Sequence, residues 1–203
     1  MSELKNTVRR EQHPNWYHDI PIMNTLILGS FPPHESKRDY SFYYPNKQNN
    51  FWKILSVLCN SPIQHWEGEN AVKERKAIME KLNVGVENMG QLIQRKGTSA
   101  KDTDIQIVEF HPILSILIKH KELTRILLSG YSSGSSTFQS FCRYLRSQYI
   151  EFEIPLKIKP GERFTFLYDK RRIECVILHS TSTATRIPLS TLIKEFAPFI
   201  SSL

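Results

Sequence analysis

The chain is short of cysteine, glycine and acidic residues. Its 203 residues hold 3 Cys and 8 Gly, and 20 Asp+Glu stand against 27 Lys+Arg, a formal charge of +7. Cys59, Cys142 and Cys175 are far apart and odd in number, and no Cys-x-x-Cys pair occurs, which argues against a disulfide framework and against cysteine-based zinc or redox chemistry. Reduced core thiols are expected instead. Apolar runs such as Ile113–Ile118 and Ile126–Leu128 fall far short of the roughly 20 residues that span a bilayer, so no membrane partner is expected. The opening Met1–Arg10 lacks the apolar core and small-residue cleavage site of a secretory signal, and a cytoplasmic location is expected. Repeats and low-complexity segments are lacking too. What is there, 40% apolar and 23% charged residues, is ordinary globular composition, and predicts a single domain over 1–203 with residues 1–20 as a surface arm that has room for a short helix. The basic excess makes an anionic partner, nucleic acid foremost, a reasonable expectation without proving it.

Strand-like and helix-like patterns alternate. Asn24-Thr-Leu-Ile-Leu-Gly-Ser30 is a short apolar run stopped by Gly29 and Pro32-Pro33, the pattern of a buried strand entering a loop. Residues 83–89 and 124–130 predict further strands, and 163–178 predicts a β-hairpin around Asp169-Lys170-Arg171 whose second arm joins the core. Helical spacing marks 51–59, 69–82, 112–120, 135–149 and 188–199, while 95–102 reads as a polar loop. In 69–82 the apolar stripe is Val72, Ile78, Met79 and Leu82, with Lys73, Glu74, Arg75 and Lys76 on the wet face. The order predicts an α/β, three-layer sandwich: a central, mainly parallel four-stranded sheet flanked by helices, with the hairpin as an extension.

In such a sheet ligands bind beyond the carboxyl ends of the strands. That selects Gly29–Ser36 with its continuation Tyr40–Trp52, the turn at Ser129–Ser132, and Leu178–Ala184. The first segment sets Phe31, Phe42, Tyr43, Tyr44, Phe51 and Trp52 beside Asn46, Gln48, Asn49 and Asn50, surfaces that stack a planar ring and read its edge. Core packing is the alternative for Phe51 and Trp52, a plain turn for Ser129–Ser136.

Together these segments resemble the uracil-DNA glycosylase superfamily, most closely its hypoxanthine-DNA and mismatch-specific uracil branch. A strand ending in Gly-x-x-Pro, followed by Tyr-Tyr-x(4)-Asn-x-Phe-Trp, is represented by Gly29, Pro32, Tyr43, Tyr44, Asn49, Phe51 and Trp52. Leu178-His-Ser-Thr-Ser-Thr-Ala184 is similar to that branch's Leu-Pro-Ser-Thr-Ser-Pro-Ala. Arg95-Lys-Gly-Thr-Ser-Ala-Lys-Asp102-Thr-Asp-Ile105 is similar to its Gly-Ser-x-Asp-x-x-Ile segment, and Ile126–Gly130 stands where relatives often carry Phe-Asn-Gly. The resemblance spans about residues 24–199. It implies a monofunctional glycosylase of base excision repair that flips a deaminated base, hypoxanthine or uracil, out of DNA, at a cost of a few kcal/mol, and hydrolyses its N-glycosidic bond. It implies no metal and no cofactor; a monomer is expected.

The residue roles implied are these. Phe31 stands where the uracil-specific enzymes keep an Asp or Asn that orients water, and a phenyl ring cannot do that. Catalysis then passes to Asn49, which also suits a helix cap; the two roles can coexist. His34 matches the histidine of Gly-Gln-Asp-Pro-Tyr-His, and is otherwise a plain loop residue. His179, after a one-residue slip, matches a histidine that donates to the departing base. Phe31, Tyr44, Phe51 and Ser129 are expected to hold the base. Ser180, Thr181 and Ser182 are expected at DNA phosphates, and Arg186 or Ile187 at the vacated stack, where an ordinary loop is the alternative. Two rivals remain: a non-catalytic nucleic-acid-binding relative, favoured by the altered positions 31, 179 and 183, and a hydrolase of free nucleosides or nucleotides.

Overall fold

A computed structural model describes residues 7–200; the first six residues of the expected arm lie outside the described residues. The parallel core consists of β2 (Thr25–Gly29), β3 (Val84–Asn88), β6 (Arg125–Ser129) and β8 (Arg171–Leu178), in the order β3-β2-β6-β8. Strands β2 and β3 are buried along their whole length, β2 as an apolar run and β3 with the polar Glu87 and Asn88 at its carboxyl end. Strand β7 (Arg163–Tyr168) pairs antiparallel with β8 and makes a five-stranded sheet, so the hairpin extension widens the sheet itself. Its turn is Asp169-Lys170, both in the left-handed region at φ +49° and +60°, the twist that a two-residue hairpin needs.

Five helices lie close to their predicted limits: α1 (Phe51–Leu58), α2 (Gly68–Leu82), α3 (Ile113–Lys119), α4 (Thr137–Ser147) and α5 (Leu189–Phe196). With the strand order observed, the right-handed rule for parallel crossovers assigns α1 and α2 to one face and α3 and α4 to the other. Helix α5 packs on α1, and the α4 Tyr144 hydroxyl accepts the Leu114 N–H of α3 at 3.0 Å. The α/β sandwich expected from the alternation is therefore present in its coarse form.

Two expectations fail. The stretch before residue 20 is not a surface arm with a helix: Val8–Gln12 forms β1, and His13, Trp16 and Ile20 are buried. Strand β1 pairs with β4 (Gly90–Lys96), which pairs with β5 (Ile105–Phe110), in a second, antiparallel sheet. Part of the predicted 95–102 loop thus belongs to β4, where Arg95, 0% exposed, donates to Glu11 Oε1 at 2.9 Å and to the Pro32 carbonyl at 2.7 Å. Second, Arg75 does not lie on the wet face of α2. It is 0% exposed, with its guanidinium 5.0–5.8 Å from the ring centres of Tyr40, Trp52 and Trp66 and a 2.8 Å bond to the His65 carbonyl. A planar guanidinium can be buried in this way because aromatic faces and a carbonyl replace its water.

The sheets meet at Met89, whose N–H donates to the Gly29 carbonyl at 2.8 Å. Burial there holds His13 down to about 3 and His111 to about 4, and pushes Glu87 up to about 7. Cys59, Cys142 and Cys175 are buried thiols, and burial raises the pKa of each. Among the described residues no helix is long and apolar enough to cross a membrane.

Candidate active site

From β2 the chain crosses through α1 and α2 to β3, whereas β6, on the other side of β2, leads through α4 to β8. The crevice of an open parallel sheet lies at such a reversal, beyond the carboxyl ends of the two strands. Gly29 and Ser30 end β2 here, and Ser129 and Gly130 end β6.

Over these ends lies a pair of rings. Tyr44 and Phe51 stack with centroids 3.8 Å apart and planes at 14°. Phe51 is 0% exposed, the first residue of α1, while Tyr44 is half-buried with φ +47°. In this conformation Phe51 therefore offers no free face, and of the stacked pair only Tyr44 is partly open. Burial raises the Tyr44 phenol, and its hydroxyl is buried without a hydrogen-bond partner that meets ordinary geometry. A Cβ at Gly29 would come within 2.5 Å of Asn88 Oδ1 and 2.8 Å of that hydroxyl, so only glycine admits both groups. Gly29→Ala is expected to displace the tyrosine or the amide, cost about 1–3 kcal/mol as an overpacking change, and reduce activity at the crevice. Urea unfolding midpoints and turnover measured on one preparation check both effects.

Asn49 precedes α1, and its Oδ1 accepts the Phe51 N–H at 2.9 Å. The N-cap of α1 is Asn50, which makes no side-chain cap bond, so Asn49 instead closes an Asx turn just before the helix, and its Nδ2 amino group has no hydrogen bond within the described residues. Next to it, the Asn50 N–H donates to the Thr181 carbonyl at 3.0 Å and ties the first loop to the closing one. Thr181 is 1% exposed, so it is a tether and not a phosphate ligand, contrary to expectation. Ser180 Oγ accepts the Ser182 N–H, and Ser182 Oγ the Ala184 N–H, each at 3.3 Å, which shapes the turn before α5. Arg186 is exposed and left-handed, φ +56°, whereas Ile187 packs against the core, so of the two expected wedges only the arginine stands in solvent.

No protein-family model and no curated protein matches this chain.

Its closing loop carries a carboxylate–imidazole pair. His179 Nδ1 lies 2.7 Å from Glu195 Oε2, and the His179 backbone N–H donates to Glu195 Oε1 at 2.6 Å. This double anchor on α5 commits Nδ1–H to the carboxylate and leaves Nε2 as the working nitrogen. Tyr131 meets the same ring edge-on at 5.9 Å. Ser129 Oγ reaches the His179 carbonyl at 3.5 Å, which brings the β6 and β8 ends together.

Other expected residues lie elsewhere. Phe31 is 9% exposed, turned into the seam between the sheets, 5.5 Å from the His13 ring and 5.6 Å from the Arg95 guanidinium; that packing is why it does not present a free face to a base. His34 caps the short turn Glu35–Lys37 through a 3.3 Å bond from the Ser36 N–H, and no hydrogen bond among the described residues joins it to Asn49 or His179. In its stead the structure brings up three side chains to which no role was given: Glu195, Asn88 and Asp102. Asp102 lies beside Ser30 and Tyr44, and burial raises its carboxyl pKa against the opposing effect of Ser30. Asp102 alone had a signal, in the Ser99–Ile105 segment; Glu195 reads as one more polar residue on an amphipathic helix.

Proposed function

We propose that this chain is a monofunctional DNA glycosylase that removes a deaminated base, hypoxanthine or uracil, by attack of water at C1′. The observation that carries the reading is the Asn50–Thr181 backbone bond, which ties the loop of the Tyr44–Phe51 stack and Asn49 to the closing loop of the His179–Glu195 pair. A flipped base needs an aromatic face and edge-reading groups; Tyr44 supplies the face, and Asn88, with its Oδ1 toward Gly29, an edge. Glycosidic cleavage builds positive charge on the sugar and negative charge on the departing base, so groups placed before the reaction gain strength as those charges develop. Asp102 suits the first, and His179 Nε2, which carries a proton to donate only in the imidazolium, suits the second. Asn49 has a free amino group and a second lone pair on Oδ1 with which to hold the water. Arg186, Lys37 and Lys101 add exposed positive charge for the DNA backbone.

The test is base release from matched oligonucleotides carrying deoxyinosine, deoxyuridine or xanthine, single-stranded and paired, read as abasic-site cleavage. Release from at least one is expected. Salt-dependent binding without release would replace the proposal by a non-catalytic DNA-binding module, and turnover of free inosine or uridine without DNA affinity by a nucleoside hydrolase.

A further inference from the structure

Away from the crevice, donor groups from remote segments converge where the sheets join. His13 follows β1, Glu87 belongs to β3 and His111 follows β5. Their ligand atoms all lie within 4.8 Å of one another. Glu87 Oε1 is 3.9 Å from His111 Nε2, and the two imidazole centroids are 4.8 Å apart with planes at 90°. Around them is a supporting shell. His13 Nδ1 lies 2.6 Å from the Pro14 carbonyl, which fixes the proton on Nδ1 and turns the Nε2 lone pair inward. Glu87 Oε1 accepts the Tyr43 hydroxyl and the Asn88 N–H, each at 2.8 Å, leaving Oε2 free for a ligand. His111 Nε2, by contrast, is buried with no hydrogen-bond partner among the described residues. Buried imidazole nitrogens are seldom left so, because the lost water is not replaced. A cavity of about 410 Å³ opens beside the cluster, lined by His13, Trp16, Tyr17, Glu87, Gln91 and His111 among others.

We propose that His13 Nε2, the Glu87 carboxylate and His111 Nε2 bind one divalent transition-metal ion, with water from the cavity completing the shell. Two neutral imidazoles and a carboxylate suit Zn²⁺ and its first-row neighbours, and not the all-oxygen preference of Mg²⁺ or Ca²⁺. Three protein ligands and an open fourth position are the arrangement of a zinc site that keeps a water. Bonds of about 2.0–2.1 Å place tetrahedral donors about 3.3 Å apart, so the cluster closes by about 1.5 Å at its widest. His111 can supply that movement: it lies on the irregular link between β5 and α3, its side chain is 20% exposed, and Nε2 has no bond to break. His13 Nε2 now lies 2.9 Å from the Asn88 amide nitrogen, and coordination displaces that contact. The site does not depend on the glycosylase reading. It also departs from the sequence expectation of no metal, because ligands at 13, 87 and 111 follow no motif spacing.

Untagged full-length protein, stripped with a chelator, is dialysed against Zn²⁺ and the bound metal counted by mass spectrometry; Co²⁺ is then used for its d–d absorption. About one equivalent is expected, with Co²⁺ bands of a nitrogen/oxygen tetrahedral site. His111→Ala should weaken binding by more than about 100-fold, beyond the roughly 10–100-fold that loss of an outer-shell partner costs. Glu87→Gln, which keeps the carbonyl oxygen for Tyr43, should do the same with an unchanged near-UV circular dichroism spectrum. Less than about one-tenth of an equivalent in the native protein, or affinity in the two variants unchanged from native, overturns the site and assigns any bound metal to surface groups.

Discussion

Under the proposed function, Asn49→Ala is expected to lower base release by roughly 10²–10³-fold, the usual cost of one positioned polar group at the reacting centre, with DNA affinity held within a few-fold. The substitution removes two things at once. It deletes the free Nδ2 amino group, and it deletes the Oδ1 that accepts the Phe51 N–H at 2.9 Å. The second loss is one side-chain-to-backbone hydrogen bond in the turn before α1, about 1 kcal/mol of stability. Asn49→Asp separates the two, since a carboxylate oxygen still accepts from Phe51 while the amino donor is gone. Single-turnover rates and urea midpoints measured on both variants give the division. A slow but stable Asp variant assigns catalysis to the amino group. A wild-type rate in the Ala variant removes Asn49 from the chemistry and leaves it as a turn residue.

The His179–Glu195 pair carries the other large effect. His179→Ala should again cost roughly 10²–10³-fold if Nε2 meets the departing base or the water. Glu195→Gln then identifies which. With glutamate in place, the proton sits on Nδ1, so neutral Nε2 can only accept, and donates only from the imidazolium. An amide at 195 can keep the His179 backbone N–H on its oxygen and donate its amino group to Nδ1, which moves the ring proton to Nε2. If His179 acts by taking a proton from water, this exchange is severe; in a serine protease with the same carboxylate–imidazole logic it costs about 10⁴. If His179 acts by donating to the base, the variant retains the donor and loses far less. Native rates in both variants would exclude the pair from catalysis.

The strands of the parallel sheet and all five helices were legible because the signal for each is local. Leu26, Ile27 and Leu28 make a strand that is apolar on both faces, and Phe138, Phe141, Cys142 and Leu145 make one face of α4, whatever the rest of the chain does. The antiparallel sheet was missed for a physical reason. Along β4 the buried positions include Ile93 and Arg95, and an arginine at an inward position defeats a reading based on hydrophobic alternation. Arg75 misled in the same way on α2. The Arg95 guanidinium is buried against Glu11 and Pro32, and that of Arg75 against Tyr40, Trp52 and Trp66 together with its helix neighbour Glu74, groups that replace water.

The candidate crevice divides along the same line. Its location follows from the sequence, because Gly29, Pro32, Ser129 and Ser180 interrupt apolar runs at strand ends, and strand ends of a parallel sheet are where loops gather. Its working parts were decided by tertiary contacts. Phe31 and Tyr44 are both aromatic and both near β2, yet His13 and Arg95 draw Phe31 into the seam while the open slot over Gly29 receives Tyr44. Thr181 is buried while its serine neighbours are not, since it carries the tether to Asn50. The sequence by itself determined which segments are strands, helices and loops, since backbone periodicity depends on neighbours a few residues away. Only the tertiary structure decided that Glu195 orients His179, that Asn88 and Asp102 approach Gly29 and Ser30, and that His13, Glu87 and His111 share one corner. Those pairings depend on distances across the fold, which no spacing along the chain encodes.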